Sequence, residues 1–251
     1  MNENTEMLRA EDLCRSFQVQ ETKIDVLRGI SLTVYKQEFV AIMGKSGSGK
    51  TTLLKLLSIL DRPSSGKVFF KGKNTRGIRG DCLAEVRRRE IGFIYQDYYL
   101  MDSLSVLENI MLPAILDHRG AEECESEARR LAELMGISSL LEKHTYELSG
   151  GEKQRAAICR ALSNHPDLIL ADEPTGNLDS ASSETVMNYL TGINQKMKKT
   201  IVMVTHDPYV ASCSSRVIFL KDGMIGGDLQ HNGDRNAFCE QIVEEEKRML
   251  R

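Results

Sequence analysis

Apolar positions along this chain follow two rhythms, and the rhythm changes twice. Residues 7–17 and 26–34 are alternating or apolar stretches of strand length, the second carried by Leu27, Ile30, Leu32 and Val34. Residues 38–43 (Glu38, then Phe39, Val40, Ala41, Ile42, Met43) are an apolar stretch of strand length. Residues 52–57 read as helix, followed by the turn cluster Asp61-Arg62-Pro63-Ser64-Ser65-Gly66, a short strand at 67–70 and a helix over 81–90. Arg87, Arg88 and Arg89 fall in the last turn of that helix, where the dipole favours positive charge; a patch for an acidic partner is the other use of such a run. Residues 91–95 read as a buried strand.

From about residue 103 to about 164 the strand signals vanish and helical periodicity takes over, at 106–112, 121–135 and from about 149. Strands return at 168–171, 200–205 and 217–220, with a helix over 180–197, an Asp-Gly hairpin turn at 221–224 and a charged helix over 235–251. Strands alternating with helices imply a mostly parallel sheet of the α/β class, here with a helical lobe inserted. Ligands of such sheets bind at the carboxyl ends of the strands.

Composition adds bounds. A chain of 251 residues with 41% hydrophobic content makes one large domain, or a two-lobed one, with a real core. A net charge of −3 supplies no global basic field, so nucleic acid is not an expected partner. No apolar run approaches membrane-span length, and the polar, acidic start (Met1-Asn2-Glu3-Asn4-Thr5-Glu6) lacks the basic and apolar regions of a signal peptide. The expected compartment is the cytosol. Six scattered cysteines without a C-x-x-C pair read as reduced, structural thiols.

The chemistry starts at Gly44-Lys45-Ser46-Gly47-Ser48-Gly49-Lys50-Thr51, a G-x-x-x-x-G-K-T run between the 38–43 strand and the 52–57 helix. Its glycines let the backbone turn N–H groups inward on a phosphate, and the helix start adds a positive dipole end. Lys50 is the expected β/γ-phosphate contact and the Thr51 hydroxyl a Mg²⁺ ligand. Further on, the apolar strand 168–171 ends in Asp172-Glu173. Asp172 is the expected Mg²⁺ partner and Glu173 the group that polarises an attacking water. His206 follows the 200–205 strand; it either faces the same crevice or is structural. Leu148-Ser149-Gly150-Gly151-Glu152 opens a helix with an N-cap serine and exposed glycine N–H groups. One nucleotide needs one phosphate cradle, so this second anion site points to the nucleotide of another copy, or is a simple glycine-rich cap.

On these residues the sequence resembles the ATP-binding cassette (ABC) ATPases over nearly its whole length. Leu148 to Glu152 resembles the family signature, which usually ends in Gln. Gly44 to Thr51 and Leu168 to Glu173 match the two nucleotide motifs; Gln96 matches the Q-loop glutamine, Gly176-Asn177-Leu178-Asp179 the D-loop and His206 the switch histidine. Phe17 stands where the family places an adenine-stacking aromatic, commonly Tyr; a core Phe is the alternative. The resemblance implies ATP and Mg²⁺ as cofactors. Phe17, Gly44, Lys45, Ser46, Gly47, Ser48, Gly49, Lys50, Thr51 and Thr52 would hold nucleotide, together with Ser149, Gly150, Gly151 and Asp179 across a dimer seam. Glu173, His206 and Gln96 would be catalytic, and Thr51, Gln96 and Asp172 would hold the metal.

The implied fold is α/β: a P-loop NTPase (RecA-like) core with a mostly parallel sheet, an antiparallel β subdomain and an inserted α-helical lobe. It forms a single ABC ATPase domain over 1–251, with the core at 1–96 and 166–230, the helical lobe at 97–165 and a helical tail at 231–251. The implied assembly is a homodimer of cassettes with ATP at the seam, bound to a separate transmembrane permease. The place is the cytoplasm, peripheral on the inner face of the cell membrane. The stretches at 60–66, 108–113 and 171–180 resemble cassettes of mechanotransmitting permeases: macrolide export, lipoprotein release, cell division and bacitracin-type peptide resistance. The tail from Gly233 to Phe238 resembles the bacitracin-type group best, implying antimicrobial-peptide export, resistance or sensing and a sensor kinase reached through the permease. Soluble ABC ATPases of DNA repair or translation fit less well, for want of a coiled-coil or zinc insertion or a second cassette. A small-molecule P-loop kinase leaves the Ser149-Gly150-Gly151 helix start unexplained.

Overall fold

In the computed structural model, residues 5–78 and 80–249 are described. The first two strands, β1 (Glu6–Val19) and β2 (Thr22–Tyr35), form a long antiparallel hairpin. With β4 (Ser65–Phe70) and β5 (Lys73–Asn74) they build a four-stranded sheet in the order β2-β1-β4-β5. The hairpin is longer than the 7–17 and 26–34 stretches because irregularities interrupt its alternation. Asp12 turns to φ 47°, and the register shifts between Ala10 and Leu13.

The second sheet holds six strands. Its five parallel members are β3 (Phe39–Met43), β6 (Ile91–Ile94), β7 (Leu168–Asp172), β8 (Thr200–Thr205) and β9 (Arg216–Lys221). An antiparallel edge strand, β10 (Met224–Gln230), completes the order β10-β9-β3-β8-β7-β6. Strand β10 was not foreseen beyond its turn: it alternates exposed and half-buried residues around Gly226 and Gly227, so its apolar signal is weak.

Period-two geometry makes the central strands serve two cores. Val40, Ile42, Leu168, Leu170, Val202 and Val204 face one cluster, shared with β1, β2, β4 and helix α1 (Lys50–Leu57). Their neighbours Phe39, Ala41, Met43, Ile169, Ile201 and Met203 face the other. That second cluster is closed by helices. After α2 (Asp81–Glu90) come α3 (Val106–Leu116), α4 (Ala121–Leu134) and α5 (Gly150–Leu162), which form the inserted lobe. Next come α6 (Ser180–Met197), the short α7 (Pro208–Ala211) and α8 (Arg235–Met249). The last two residues of the 235–251 helix expected from the sequence lie outside the described residues.

Caps set the helix starts. Ser105 and Glu108 form a reciprocal capping box on α3, and Ser149 and Glu152 form another on α5. Buried Asn109 holds the entry loop of α3, exchanging hydrogen bonds with Met101 N–H and the Met101 and Leu104 carbonyls. Helix α1 begins at Lys50, two residues before the stretch that reads as helix, on Gly49 in the left-handed region at φ 102°.

Candidate nucleotide site

The loop after β3 is shaped by close approach. A Cβ at Gly44 would lie 2.3 Å from the Leu220 carbonyl oxygen at the end of β9, so no other residue fits there without displacing β9. A Cβ at Gly49 would lie 2.8 Å from Leu27 Cδ2 and 3.1 Å from the Val26 carbonyl oxygen. The loop is thus clamped between β9 and β2. Lys50 is buried, and its ammonium curls back to donate to the Gly44 carbonyl at 2.7 Å and the Lys45 carbonyl at 3.2 Å. Among the described residues, Ser48 Oγ is buried and has no hydrogen-bond partner. The first N–H groups of α1 lack intrahelical acceptors. A cavity of about 340 Å³ lies against Gly44, Lys45, Ser46 and Gly47, with Glu246 and Met249 of α8 on its far wall.

Strands β7 and β8 bring the other groups to the same edge. Thr51 Oγ1 donates to Asp172 Oδ1 at 3.0 Å. Burial is the leading cause that pushes the Asp172 carboxyl above the usual carboxylate range; neighbouring Glu173 adds to it, and the Thr51 hydroxyl opposes it. Glu173 sits at φ 46°, outside the strand, and its N–H donates to the Val204 carbonyl at 3.0 Å. Glu173 Oε1 lies 3.9 Å from Lys50 Nζ, and Glu173 Oε2 lies 3.0 Å from His206 Nδ1. Glu173 is 14% exposed and His206 68%, so the carboxylate is enclosed and the imidazole stands at the open side. Beside them is a cavity of about 280 Å³, bounded by Glu173, Gly176, Ser180 and His206. A larger hollow of about 440 Å³ lies between α4 and α6, away from the strand ends; it is lined by Leu134, Tyr189 and Met197.

The remaining sequence-predicted residues divide into those the fold brings near and those it does not. Gln96, just beyond β6, reaches the loop after β7 and donates to Asn177 Oδ1. Asp179 caps α6, accepting from Ser182 N–H at 2.9 Å and Ser182 Oγ at 2.8 Å; these bonds, the backbone one first, hold its carboxyl below the usual range. Phe17 lies on β1, 38% exposed, with the Arg15 guanidinium 4.5 Å from its ring centre. It is therefore not a core residue. Thr52, on α1, is half-buried. Ser149, Gly150 and Gly151 do not meet the loop at 44–51. Among the described residues, Ser149 bonds Glu152, while Gly150 packs by Tyr98 and Leu178 and Gly151 packs by Ser182.

Three features were not read from the sequence. The Asp222-Gly223 turn packs under β2, where Gly223 accepts from Arg28 N–H at 2.8 Å and its φ is 77°. The Asp-Gly pair signalled the turn but not its contact. Helix α8 reaches the phosphate-loop cavity, and Asn177 joins Gln96; both are long-range facts with no local signature.

The oxygen donors of Thr51, Asp172 and Gln96 are of the hard type that suits a magnesium ion completed by phosphate oxygens and water. Among the described residues there is no group of three or more His, Cys, Asp or Glu side chains able to hold a metal. One carboxylate beside a phosphate loop does not require such a group.

Comparison with known proteins gives the context. The ABC transporter family matches residues 27–176. The chain is 44% identical to the ABC transporter ATP-binding protein YxdL of Bacillus subtilis over 95% of this chain and 92% of that one. It is also 44% identical to the bacitracin export ATP-binding protein BceA of Halalkalibacterium halodurans, over 94% of each. Its fold superposes on the dimeric structure of the ABC transporter cassette MJ0796 of Methanocaldococcus jannaschii with a TM-score of 0.85 and 38% identity, covering 91% of this chain and all of that one. A second structure of MJ0796 is a post-hydrolysis dimer bound to ADP and Pi, with a TM-score of 0.84. The chain belongs to the ABC transporter family and is an ATP-binding cassette with ATPase activity.

Proposed function

We propose that this member of the ABC family drives a separate membrane permease through an ATP-closed dimer, and that its work concerns peptide antibiotics of the bacitracin kind. The observation that carries the catalytic part is the convergence of Lys50, Thr51, Asp172, Glu173 and His206 at one sheet edge. In this reading the 44–51 loop and Lys50 hold the triphosphate, and Phe17 offers its exposed face to adenine. Thr51, Asp172 and Gln96 would hold Mg²⁺, which when bound neutralises phosphate charge. Glu173 takes the proton of a water as its oxygen attacks the γ-phosphorus; the bond from phosphorus to the ADP oxygen breaks, and ADP and phosphate leave. His206, beside Glu173 Oε2, orients that carboxylate.

Ser149, Gly150 and Gly151 are held away from the loop of their own chain, which supports their use on the nucleotide of a second copy. The dimers of MJ0796 lend support by fold. The peptide-antibiotic part rests on the likeness to BceA over 94% of both chains. No helix among the described residues is long and apolar enough to cross a membrane. The test is affinity co-purification. Tagged Glu173→Gln protein is expressed in its native cell, and membranes are solubilised gently with ATP. A permease with a large extracellular domain, with or without a sensor kinase, is the expected partner. A permease accompanied by a lipoprotein or division protein would overturn the peptide reading. Soluble partners alone would overturn the membrane role.

A further inference from the structure

Gln96 and Asn177 sit on different loops, 81 positions apart in the chain, yet their side chains are tied together. Asn177 Nδ2 donates to the Gln96 carbonyl oxygen at 3.1 Å and to Asp97 Oδ1 at 3.1 Å. A carbonyl and a carboxylate are acceptors, so both demand the nitrogen of the Asn177 amide. That fixes Asn177 Oδ1 on the other side, where it faces Gln96 Nε2 at 3.4 Å. An acceptor at that point in turn demands the nitrogen of the Gln96 amide. Among the described residues the Gln96 side chain is left with one polar atom without a partner, Oε1, an oxygen of the kind a divalent cation takes.

Space points the same way. A Cβ on residue 176 would fall 2.9 Å from Gln96 Nε2 and 3.2 Å from Gln96 Cδ, so the amide passes over the backbone where the chain has glycine. Gly176 makes room and Asn177 sets the orientation.

We propose that Asn177 is a positioning residue: by holding the nitrogen end of the Gln96 amide it presents Oε1 to the divalent cation of the ATP complex. This rests on the reading that Gln96 touches that cation. The alternative, an unoriented Gln96, would let the amide offer its N–H₂ end to the cation in part of the population.

The test measures binding, not turnover. The affinity of a fluorescent, non-hydrolysable ATP analogue is titrated in EDTA and in Mg²⁺, and the ratio of the two dissociation constants reports the cation's contribution. Asn177→Ala should lower that ratio by about fivefold, the scale of one hydrogen bond to a ligating group, and leave the EDTA value unchanged. The unchanged EDTA value also shows that the variant is folded. Gly176→Ala, which crowds the amide without removing a bond, should lower the ratio in the same direction. Gln96→Ala should lower it too, and adding Asn177→Ala to that variant should cost nothing more. If Gln96→Ala lowers the ratio and Asn177→Ala does not, Asn177 is no positioning residue, while the reading of Gln96 stands. If Asn177→Ala costs as much without Gln96 as with it, the effect runs through another group and the inference fails. If Gln96→Ala leaves the ratio unmoved, the reading of Gln96 falls and takes the inference with it.

Discussion

Asp172 and Lys50 show how a residue can be held in a conformation that suits a ligand better than it suits the empty fold. Burial raises the Asp172 carboxyl above the usual range, so folding favours its neutral form. The folded chain then binds the proton more tightly than the unfolded one. Stability falls as pH rises from the ordinary carboxylate range through the raised value, and the ionised group is a net cost at neutral pH. Asp172→Asn should therefore raise the melting temperature of the nucleotide-free protein, by on the order of 2 °C. It should also abolish the tightening of nucleotide binding by Mg²⁺. Calorimetric melts at pH 7 and the EDTA/Mg²⁺ titration check the two halves; a fall in melting temperature would contradict the cost assigned to the charge. Lys50 is the converse case, a buried cation whose hydrogen bonds are to the carbonyls of its own loop. Lys50→Ala should weaken ATP binding by about tenfold or more, the scale of a charge-assisted contact to phosphate, with a folded chain by circular dichroism.

At the level of elements, the start of α5 depends on Glu152 where related signatures usually carry Gln. Glu152 Oε2 accepts from Ser149 N–H at 2.8 Å and from Ser149 Oγ at 2.7 Å, and these bonds, the hydroxyl's first, hold its carboxyl below the usual range. The cap is at full strength above the ordinary carboxylate range and is lost as pH falls through the lowered value. Glu152→Ala should cost about 1 kcal/mol at pH 7, and Glu152→Gln should keep the box while removing its acid-side loss. Melts at pH 7 and pH 4 separate the two. Ser149 announced α5 because a cap is a local interaction, whereas the caps Ser105 and Asp179 were recognised only in the fold. Helices α2 and α6 and strand β8 were legible to the residue, being strongly periodic or wholly apolar between turn signals. Strand β10 and the long ends of β1 and β2 were not, since half-exposed strands with glycine or bulges carry no clean period. The order β10-β9-β3-β8-β7-β6 was also hidden: parallel strands buried on both faces look alike, and nothing in their sequence names a neighbour.

Across the whole molecule, β3, β7 and β8 end at one edge, and the loops that follow them carry the phosphate loop, Glu173 and His206. That grouping was foreseeable, because a parallel sheet puts all its carboxyl ends on one side. The tie between Gln96 and Asn177 and the reach of α8 to the phosphate loop depend on packing between distant segments, and only the fold displays them. The capped α5 start stands off from the phosphate loop of its own chain. On the proposed function two copies are the working unit: nucleotide would favour the closed pair, and hydrolysis at Glu173 would release it. The most direct measurement is phosphate release and solution mass of Glu173→Gln with ATP, beside the unaltered protein. The account predicts that turnover falls by about 10²-fold or more, ATP stays bound, and the mass rises to twice the 28.2 kDa of one chain when ATP is added. Normal turnover, or a mass that ignores ATP, would contradict it.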